Sequence, residues 1–98
     1  MSNSISPSEK VRVHAFISGK VQGVGYRYST VEQGQKLGIN GWVRNLSDGK
    51  VEAVFEGKPE IVEQMIRWCH DGPPTAVVSG VDFEYEDVEG LQGFEFLR

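Results

Sequence analysis

Apolar and polar residues alternate over the segment 11–18, in which every odd-numbered residue is apolar. A spacing of two is typical of a strand that packs one of its faces on a hydrophobic core. Three glycines within residues 19–25 follow this segment and predict a turn. The patterned region of the chain therefore starts with a strand and a glycine-rich connection.

The next pattern predicts a helix over residues 26–37. We expect Val31 and Leu37 on its inner side, and Gly38 lies where a left-handed residue commonly ends a helix. Gly34 falls inside this helix, where glycine costs about 0.5–1 kcal/mol relative to alanine. We interpret Gly34 as the mark of a close approach between this helix and the sheet.

The middle of the chain predicts a β-hairpin. Residues 42–45 start a strand after the turn Asn40-Gly41, and residues 50–56 return with apolar side chains on one face. Between them, Ser47-Asp48-Gly49 contains the Asp-Gly pair that supplies the positive φ angles of a primed turn. The two strands are therefore expected to be neighbours in one sheet.

The second half of the chain predicts one helix and two further strands. Apolar residues recur at helical spacing over residues 59–69, and Pro59 stands at the helix start, where its missing N–H does no harm. The Gly-Pro-Pro run at residues 72–74 ends this helix. Alternation returns over residues 77–85, and a short strand over residues 94–96 closes the chain.

These elements follow the order β-α-β-β-α-β, with one short extra strand. The order predicts a ferredoxin-like split β-α-β sandwich, an α+β fold in which two helices cover one face of an antiparallel sheet. The 98 residues fit one small domain, which we place at residues 11–98. Residues 1–10 are mostly small and polar and are expected to form a flexible N-terminal tail. Because this fold hosts unrelated functions, the functional prediction has to come from individual residues.

Charge and cysteine content narrow the classes of function. The 14 acidic and 10 basic residues give a formal net charge of −4, whereas a general nucleic-acid binder would carry a basic face. The single cysteine, Cys69, cannot form an intramolecular disulfide, and no apolar run approaches the roughly 20 residues of a membrane span. The start of the chain also lacks the apolar stretch of a signal peptide. We therefore expect a protein of the reducing cytoplasm with no nucleic-acid or membrane partner. The sequence leaves the oligomeric state open, and a monomer is the default expectation.

Familiar catalytic motifs are missing from the sequence. Tyr28 stands where a dinucleotide-binding fingerprint would have its third glycine. Cys69, His14 and His70 are the only cysteine and histidines, so no familiar zinc or iron–sulfur ligand set can be built. We interpret His14 as a structural or surface residue of its strand, and the acidic residues between 82 and 89 as a solvated face.

The connection between the first strand and the first helix reads Gly-Lys-Val-Gln-Gly-Val-Gly-Tyr-Arg over residues 19–27. Closely spaced glycines let successive backbone N–H groups converge on an anion, and the helix N-terminus adds the positive end of its dipole. Arg27 lies in the predicted first helical turn and leans back toward the loop, so its guanidinium can bind the same anion through two N–H groups. An ordinary strand–helix turn with a surface arginine is the alternative that these residues leave open.

A second motif, Gly-Trp-Val-Arg-Asn-Leu-Ser-Asp-Gly-Lys-Val-Glu, follows over residues 41–52. With the Val-Gln-Gly-Val-Gly-Tyr-Arg loop, it resembles the acylphosphatase family, and the resemblance extends over residues 11–98. The chain departs from the family's pattern at Tyr26, where phenylalanine is usual, and at Gly34, where alanine is expected. Neither departure touches the atoms that the resemblance implies to be catalytic.

The resemblance implies hydrolysis of the carboxyl–phosphate bond of acyl phosphates to carboxylate and inorganic phosphate, without a metal or any cofactor. It implies Arg27 as the catalytic arginine and Asn45 as the residue that orients the attacking water in line. Because a carboxylate leaves without a proton, positioning and electrostatic stabilisation suffice for this reaction. The backbone amides that would hold the phosphate are those of Gln22, Gly23, Val24, Gly25 and Tyr26.

Two other functions share parts of this pattern. An anion-binding accessory module would keep the loop without turnover, and it would bind phosphate without hydrolysing an acyl phosphate. An RNA-recognition module has the same order of elements, but its third strand carries a Lys/Arg-Gly-aromatic motif. Residues 50–56 read Lys-Val-Glu-Ala-Val-Phe-Glu instead, so we reject the RNA-binding interpretation.

Overall fold

The computed structural model describes residues 9–98, which form a five-stranded sheet and two helices. Most of the predicted tail, residues 1–10, lies outside the described residues, so the division into a tail and one domain stays a prediction. Every strand and helix predicted above is present. The strands are β1 (Val11–Lys20), β2 (Asn40–Asn45), β3 (Val51–Gly57), β4 (Val77–Glu86) and β5 (Phe94–Phe96), and the helices are α1 (Tyr26–Leu37) and α2 (Pro59–Asp71).

The sheet has the strand order β4-β1-β3-β2-β5. Strand β1 pairs antiparallel with β3 and β4, and β2 pairs antiparallel with β3, as the predicted fold class requires. One detail of the prediction is wrong: the sheet is not antiparallel throughout, because β5 pairs parallel with β2. The chain leaves β4 at the end of the sheet where β2 begins, crosses that end, and then runs beside β2 in the same direction.

A buried carboxylate holds the crossing segment that leads to β5. Glu56 of β3 is 1% exposed. Its oxygens accept hydrogen bonds from the backbone N–H groups of Glu89, Gly90 and Leu91 at 2.8–3.1 Å, and from Arg12 Nη1 at 2.9 Å. Burial alone would raise the pKa of Glu56, but these hydrogen bonds outweigh it and lower the pKa. The crossing is therefore fixed by a charge-assisted contact that no local pattern in the sequence indicates.

The hydrophobic core lies between the helices and one face of the sheet. Alternate residues of β1 and β3 point into it and are buried, and the inner stripe of α2 covers them. Among residues 9–98, no helix is both long and apolar enough to cross a membrane. The fully buried side chains of the core include Val13, Ala15, Ile17, Val51, Ala53, Phe55, Val62, Met65 and Cys69.

Helix α1 has the predicted bounds, and Gly38 ends it in the left-handed conformation, at φ 72°. Val31 and Leu37 are half-buried and pack against the core, as predicted, but the buried residues of the helix are Tyr26, Thr30 and Gly34. The predicted close approach at Gly34 is confirmed, because a Cβ there would lie 2.7 Å from Cδ2 of Phe94 in β5. Small residues thus let the helix lie directly on the edge of the sheet.

The face of the sheet that carries no helix holds an extended set of ion pairs. His14 contacts Glu52 through Nε2 at 2.6 Å and Glu86 through Nδ1 at 2.7 Å. Arg44 Nε donates to Glu52 at 2.6 Å, and Arg12 Nε donates to Glu86 at 3.0 Å. The structural interpretation of His14 is confirmed, but Glu86 is a member of this network rather than a solvated residue. The open-face ion network consists of Arg12, His14, Arg44, Glu52, Glu56, Glu86 and the exposed Glu89.

Candidate functional site

A cavity of about 160 Å³ lies where the β1–α1 loop meets the ends of β2 and β5. Arg27 and Asn45, which are 18 positions apart along the chain (45 − 27), both line it. The structure therefore brings the two predicted catalytic residues to one site, next to the predicted phosphate-binding loop. The lining residues are Val21, Gly23, Gly25, Tyr26, Arg27, Tyr28, Asn45 and Phe96.

The loop that leads into α1 adopts a conformation that only glycine enters readily. Gly23 and Gly25 have φ angles of 75° and 82°, and a Cβ at either position would meet nothing within 4 Å. Conformation rather than space therefore requires glycine here. The backbone N–H groups of residues 22–26 donate no hydrogen bond to any acceptor within residues 9–98. These amides are consequently available to an anion bound in the cavity.

The start of α1 adds positive charge to the same cavity. Gly25 is the N-cap residue of α1, and the first turn holds no acidic side chain. Arg27 lies in that turn, with its guanidinium carbon 5.8 Å from the ring centroid of Phe96. Among the described residues 9–98, no carboxylate pairs with Arg27. The positive charge of the guanidinium and the positive end of the helix dipole are therefore not neutralised by a carboxylate of the described residues and can attract an anionic ligand.

Asn45 is the last residue of β2 and leaves one polar atom without a partner. Its Oδ1 is buried and accepts no hydrogen bond from residues 9–98. Buried polar atoms in folded proteins nearly always have a partner, and an unpaired one costs about 1–3 kcal/mol. Asn45 Oδ1 is therefore an acceptor that no donor within residues 9–98 satisfies.

Side chains hold the loop on two sides. Gln22 Nε2 donates to the carbonyl oxygens of Leu46 and Lys50, at 2.8 and 2.9 Å, in the turn that follows β2. Thr75 Oγ1 donates to Val24 O at 2.6 Å from the segment after α2. Sequence reasoning assigned Gln22 a backbone role alone and did not single out Thr75. A polar residue beside a glycine gives no local signal of a distant carbonyl partner.

Tyr26 stands where the acylphosphatase pattern has phenylalanine, and its hydroxyl group points into the protein interior. The side chain is 1% exposed, and its O–H donates to the carbonyl oxygen of Cys69 at 2.7 Å. Burial raises the pKa of this phenol above its usual value, so it stays neutral. Burial also raises the pKa of the Cys69 thiol to about 12, which leaves it inert, as the apolar stripe predicts. The reacting groups of the site therefore do not include either side chain.

Two aromatic side chains at the cavity were missed by sequence reasoning. Tyr28 is 68% exposed, and Phe96 is 53% exposed. Phe96 reaches the site because β5 pairs parallel with β2, which sets Phe96 opposite Val43. No alternation pattern predicts that pairing, because it depends on where the chain crosses the end of the sheet.

The fold and this cavity define an α+β domain with a site suited to a phosphate-sized anion. The acylphosphatase family model matches residues 13–96. The chain is 62% identical over 98 residues to the acylphosphatase of Trichormus variabilis, covering 100% of this chain and 97% of that protein. It resembles the structure of an acylphosphatase from Coxiella burnetii with a TM-score of 0.87 and 39% identity, over 90% of this chain and 93% of that one. The chain belongs to the acylphosphatase family.

Family membership decides several of the sequence predictions. The predicted family and the ferredoxin-like fold class are confirmed, and so is the prediction of an enzyme that hydrolyses acyl phosphates. The roles of Arg27, Asn45 and the loop amides stay predictions.

Proposed function

We propose that the hydrolysis of acyl phosphates takes place in the cavity between Arg27 and Asn45, without a metal ion. One observation carries this proposal: Arg27, whose guanidinium has no carboxylate partner among residues 9–98, and Asn45, whose Oδ1 accepts no hydrogen bond from those residues, line the same cavity. The first group suits the phosphoryl oxygens of the substrate, and the second suits the attacking water.

The phosphoryl group would be held by the amides of residues 22–26 together with Arg27. The amides have no protein acceptor among residues 9–98, so binding the anion breaks no hydrogen bond inside the protein. The two N–H groups of a guanidinium match two oxygens of a phosphate. Preorganised donors of this kind stabilise the charge that spreads over the equatorial oxygens in the transition state.

Asn45 would orient the water for in-line attack. Its Oδ1 accepts an O–H from the water, which turns a lone pair of the water toward phosphorus. An amide cannot act as a base, and the described lining residues include no carboxylate, imidazole or thiol. The new P–O bond forms as the bond to the acyl oxygen breaks. The carboxylate then leaves with the electron pair, and both protons of the water remain on the phosphate.

The donor set supports a reaction that needs no metal. Backbone N–H groups, a helix N-terminus and a guanidinium attract anions and repel cations. The leaving carboxylate is a weak base, so it requires neither a general acid nor a Lewis acid. The cavity thus supplies positioning and positive charge, which this reaction uses most.

We also propose that the enzyme acts as a monomer in a reducing cytoplasm. The edge strand β4 carries the exposed acidic residues Asp82 and Glu84, which oppose edge-to-edge pairing of two copies. The one cysteine is buried and offers no disulfide to an oxidising compartment. Sedimentation velocity tests the monomer, and a species of twice the mass contradicts it.

The initial rate of benzoyl phosphate hydrolysis, measured with EDTA, tests the site. We expect hydrolysis well above the spontaneous background, and a fall of about 10²–10³ in the Arg27→Ala variant. Arg67→Ala, at an exposed arginine of α2, is the matched control and should keep the wild-type rate. Full turnover in a folded Arg27→Ala variant would refute the assignment of the site. Phosphate binding without any hydrolysis by the wild type would favour an anion-binding module instead.

A further inference from the structure

We propose that the side chain of Gln22 is a positioning residue, which fixes the distance between the bound phosphoryl group and the water held by Asn45. This inference rests on the function proposed above. Gln22 Nε2 donates to Leu46 O at 2.8 Å and to Lys50 O at 2.9 Å. One amide group thus joins the phosphate-binding loop to the hairpin that carries Asn45.

The two acceptors are the carbonyl groups that form the base of the β2–β3 hairpin turn. Leu46 directly follows Asn45, and its N–H donates to Lys50 O at 2.8 Å, which closes the hairpin. Gly49 N in turn donates to Leu46 O at 3.2 Å. Each carbonyl therefore accepts one bond from the hairpin and one from Gln22. A shift of the Gln22 side chain consequently moves the turn next to Asn45.

No other hydrogen bond within residues 9–98 joins residues 21–25 to the turn at residues 46–50. The pairing of β1 with β3 ends at Ile17 and Val51, so it includes neither residues 21–25 nor residues 46–50. The second anchor of the loop, Thr75, leads to the segment after α2 and not to the hairpin. Gln22 thus supplies the hydrogen bonds that couple the two segments directly.

The loop itself cannot supply this rigidity. Gly23 and Gly25 are exposed, and no neighbouring atom would restrict a side chain at either position. Glycine loses more conformational freedom on folding than any other residue, so an external contact is needed to keep the amides in place. Gln22 provides it at the residue immediately before Gly23.

A positioning role separates turnover from binding. Without the Gln22 contacts, the loop and Arg27 still bind a phosphate, because those donors lie on one continuous segment. The water on Asn45 no longer lies in line with the bond that breaks. A misplacement of about 1 Å between reacting groups commonly lowers the rate about 100-fold. The turnover number should therefore fall while phosphate affinity remains.

The Gln22→Met variant tests this separation, because methionine has a similar length and no N–H group. We expect kcat for benzoyl phosphate to fall about 10–100-fold, with the inhibition constant of inorganic phosphate unchanged within about threefold. Gln64→Met, at an exposed glutamine of α2, is the matched control and should match the wild type in both quantities. An unchanged kcat overturns the proposal. A parallel loss of kcat and phosphate affinity also overturns it, because Gln22 would then only shape the loop.

The Gln22→Glu variant provides a second test that does not depend on the first. A carboxylate repels the two carbonyl oxygens, whereas a protonated carboxyl group can donate to one of them. The kcat of this variant relative to the wild type should therefore rise as the pH is lowered from about 7 to about 5. A flat ratio overturns the proposal. If Arg27→Ala abolishes hydrolysis while both Gln22 variants retain wild-type kinetics, only this inference fails and the proposed function stands.

Discussion

Two polar groups of the cavity have no hydrogen-bond or ion-pair partner within residues 9–98, and each suits one reactant. Arg27 has no carboxylate, and Asn45 Oδ1 accepts no hydrogen bond. Leaving such groups unpaired destabilises a fold, by about 1–3 kcal/mol for a buried atom. A cost of this kind is typical of binding and catalytic sites, where the ligand completes the hydrogen bonds.

The Asn45→Ala variant should keep phosphate binding and lose hydrolysis. Removing the amide removes the water acceptor but leaves the loop and Arg27 unchanged, so we expect kcat to fall about 10²–10³. The inhibition constant of inorganic phosphate is the second measurement, and it should stay near the wild-type value. Ser47→Ala, at an exposed residue of the same hairpin, is the control. If the folded variant loses both its kcat and its affinity for phosphate, Asn45 contacts the phosphate rather than the water.

The conformation and position of single residues were predicted well where local sequence decides them, while the catalytic role of Arg27 stays a prediction. The glycines of the loop follow from positive φ angles, which few other residues adopt, and Arg27 follows from its place after them. The side-chain contacts of Gln22 and the aromatic ring of Phe96 were not predictable in this way. Their partners are distant in sequence, and a residue type does not indicate which distant atom it meets.

Among the elements, α1 shows why boundaries are easier to predict than packing. Left-handed glycines at Gly25 and Gly38 mark both of its ends. Its buried residues, however, are Tyr26, Thr30 and Gly34, at a spacing of four, and two of them are not hydrophobic. An apolar periodicity argument finds Val31 and Leu37, which pack against the core, but it cannot find Gly34, because the ring of Phe94 leaves no room for a side chain there.

The Gly34→Ala variant should destabilise the protein although alanine favours a helix. Alanine gains about 1 kcal/mol in helix propensity, but its Cβ would lie 2.7–3.0 Å from three ring atoms of Phe94. Overpacking of this kind commonly costs about 1–3 kcal/mol, and the buried ring has little room to move. We therefore expect a lower urea midpoint.

Gly80→Ala is the control for this measurement. A Cβ at Gly80 meets nothing within 4 Å, and its φ angle is not positive, so its midpoint should not fall. A rise in the urea midpoint of the Gly34→Ala variant would contradict the prediction, because the Phe94 ring would then move aside without a loss of packing energy.

At the scale of the whole molecule, the open-face ion network ties β1, β2, β3 and β4 together. Burial opposes a charge on His14, but hydrogen bonds to Glu86 and Glu52 outweigh burial and raise its pKa above 6.5. Burial also acts against charge on Glu52, yet hydrogen bonds from Arg44 and His14 lower its pKa below 4.5. The pKa of Glu86 is lowered chiefly by its hydrogen bonds from His14 and Arg12.

These shifts predict a pH window for stability. The raised pKa of His14 contributes stability that is fully present below pH 6.5, its unfolded value, and is lost as the pH rises through the folded value. The lowered pKa values of Glu52 and Glu86 contribute stability above pH 4.5 that is lost as the pH falls through their folded values. The network therefore stabilises most between pH 4.5 and 6.5.

The difference in unfolding free energy between the wild type and His14→Gln measures this contribution. It should be largest in that window and shrink at higher pH as the imidazole loses its proton. His70→Gln removes an exposed histidine at the end of α2, outside the open-face ion network, and is the matched control. The measurement runs from about pH 5 to about pH 9, a range that includes the protonation of a histidine. A free-energy difference that stays constant over this range would contradict a charged His14.

The sequence by itself determined the elements of this protein, the glycine-rich loop for which we propose anion binding, and the residues of its two motifs. Alternation, helical spacing and glycine conformations are local properties, and local properties can be read along a chain. The tertiary structure alone decided that β5 lies parallel to β2, that Gln22 holds the hairpin of Asn45 and that Glu56 fixes the crossing segment. Each of these contacts joins residues far apart in sequence, and the local pattern says which face a side chain takes but not which partner it finds there.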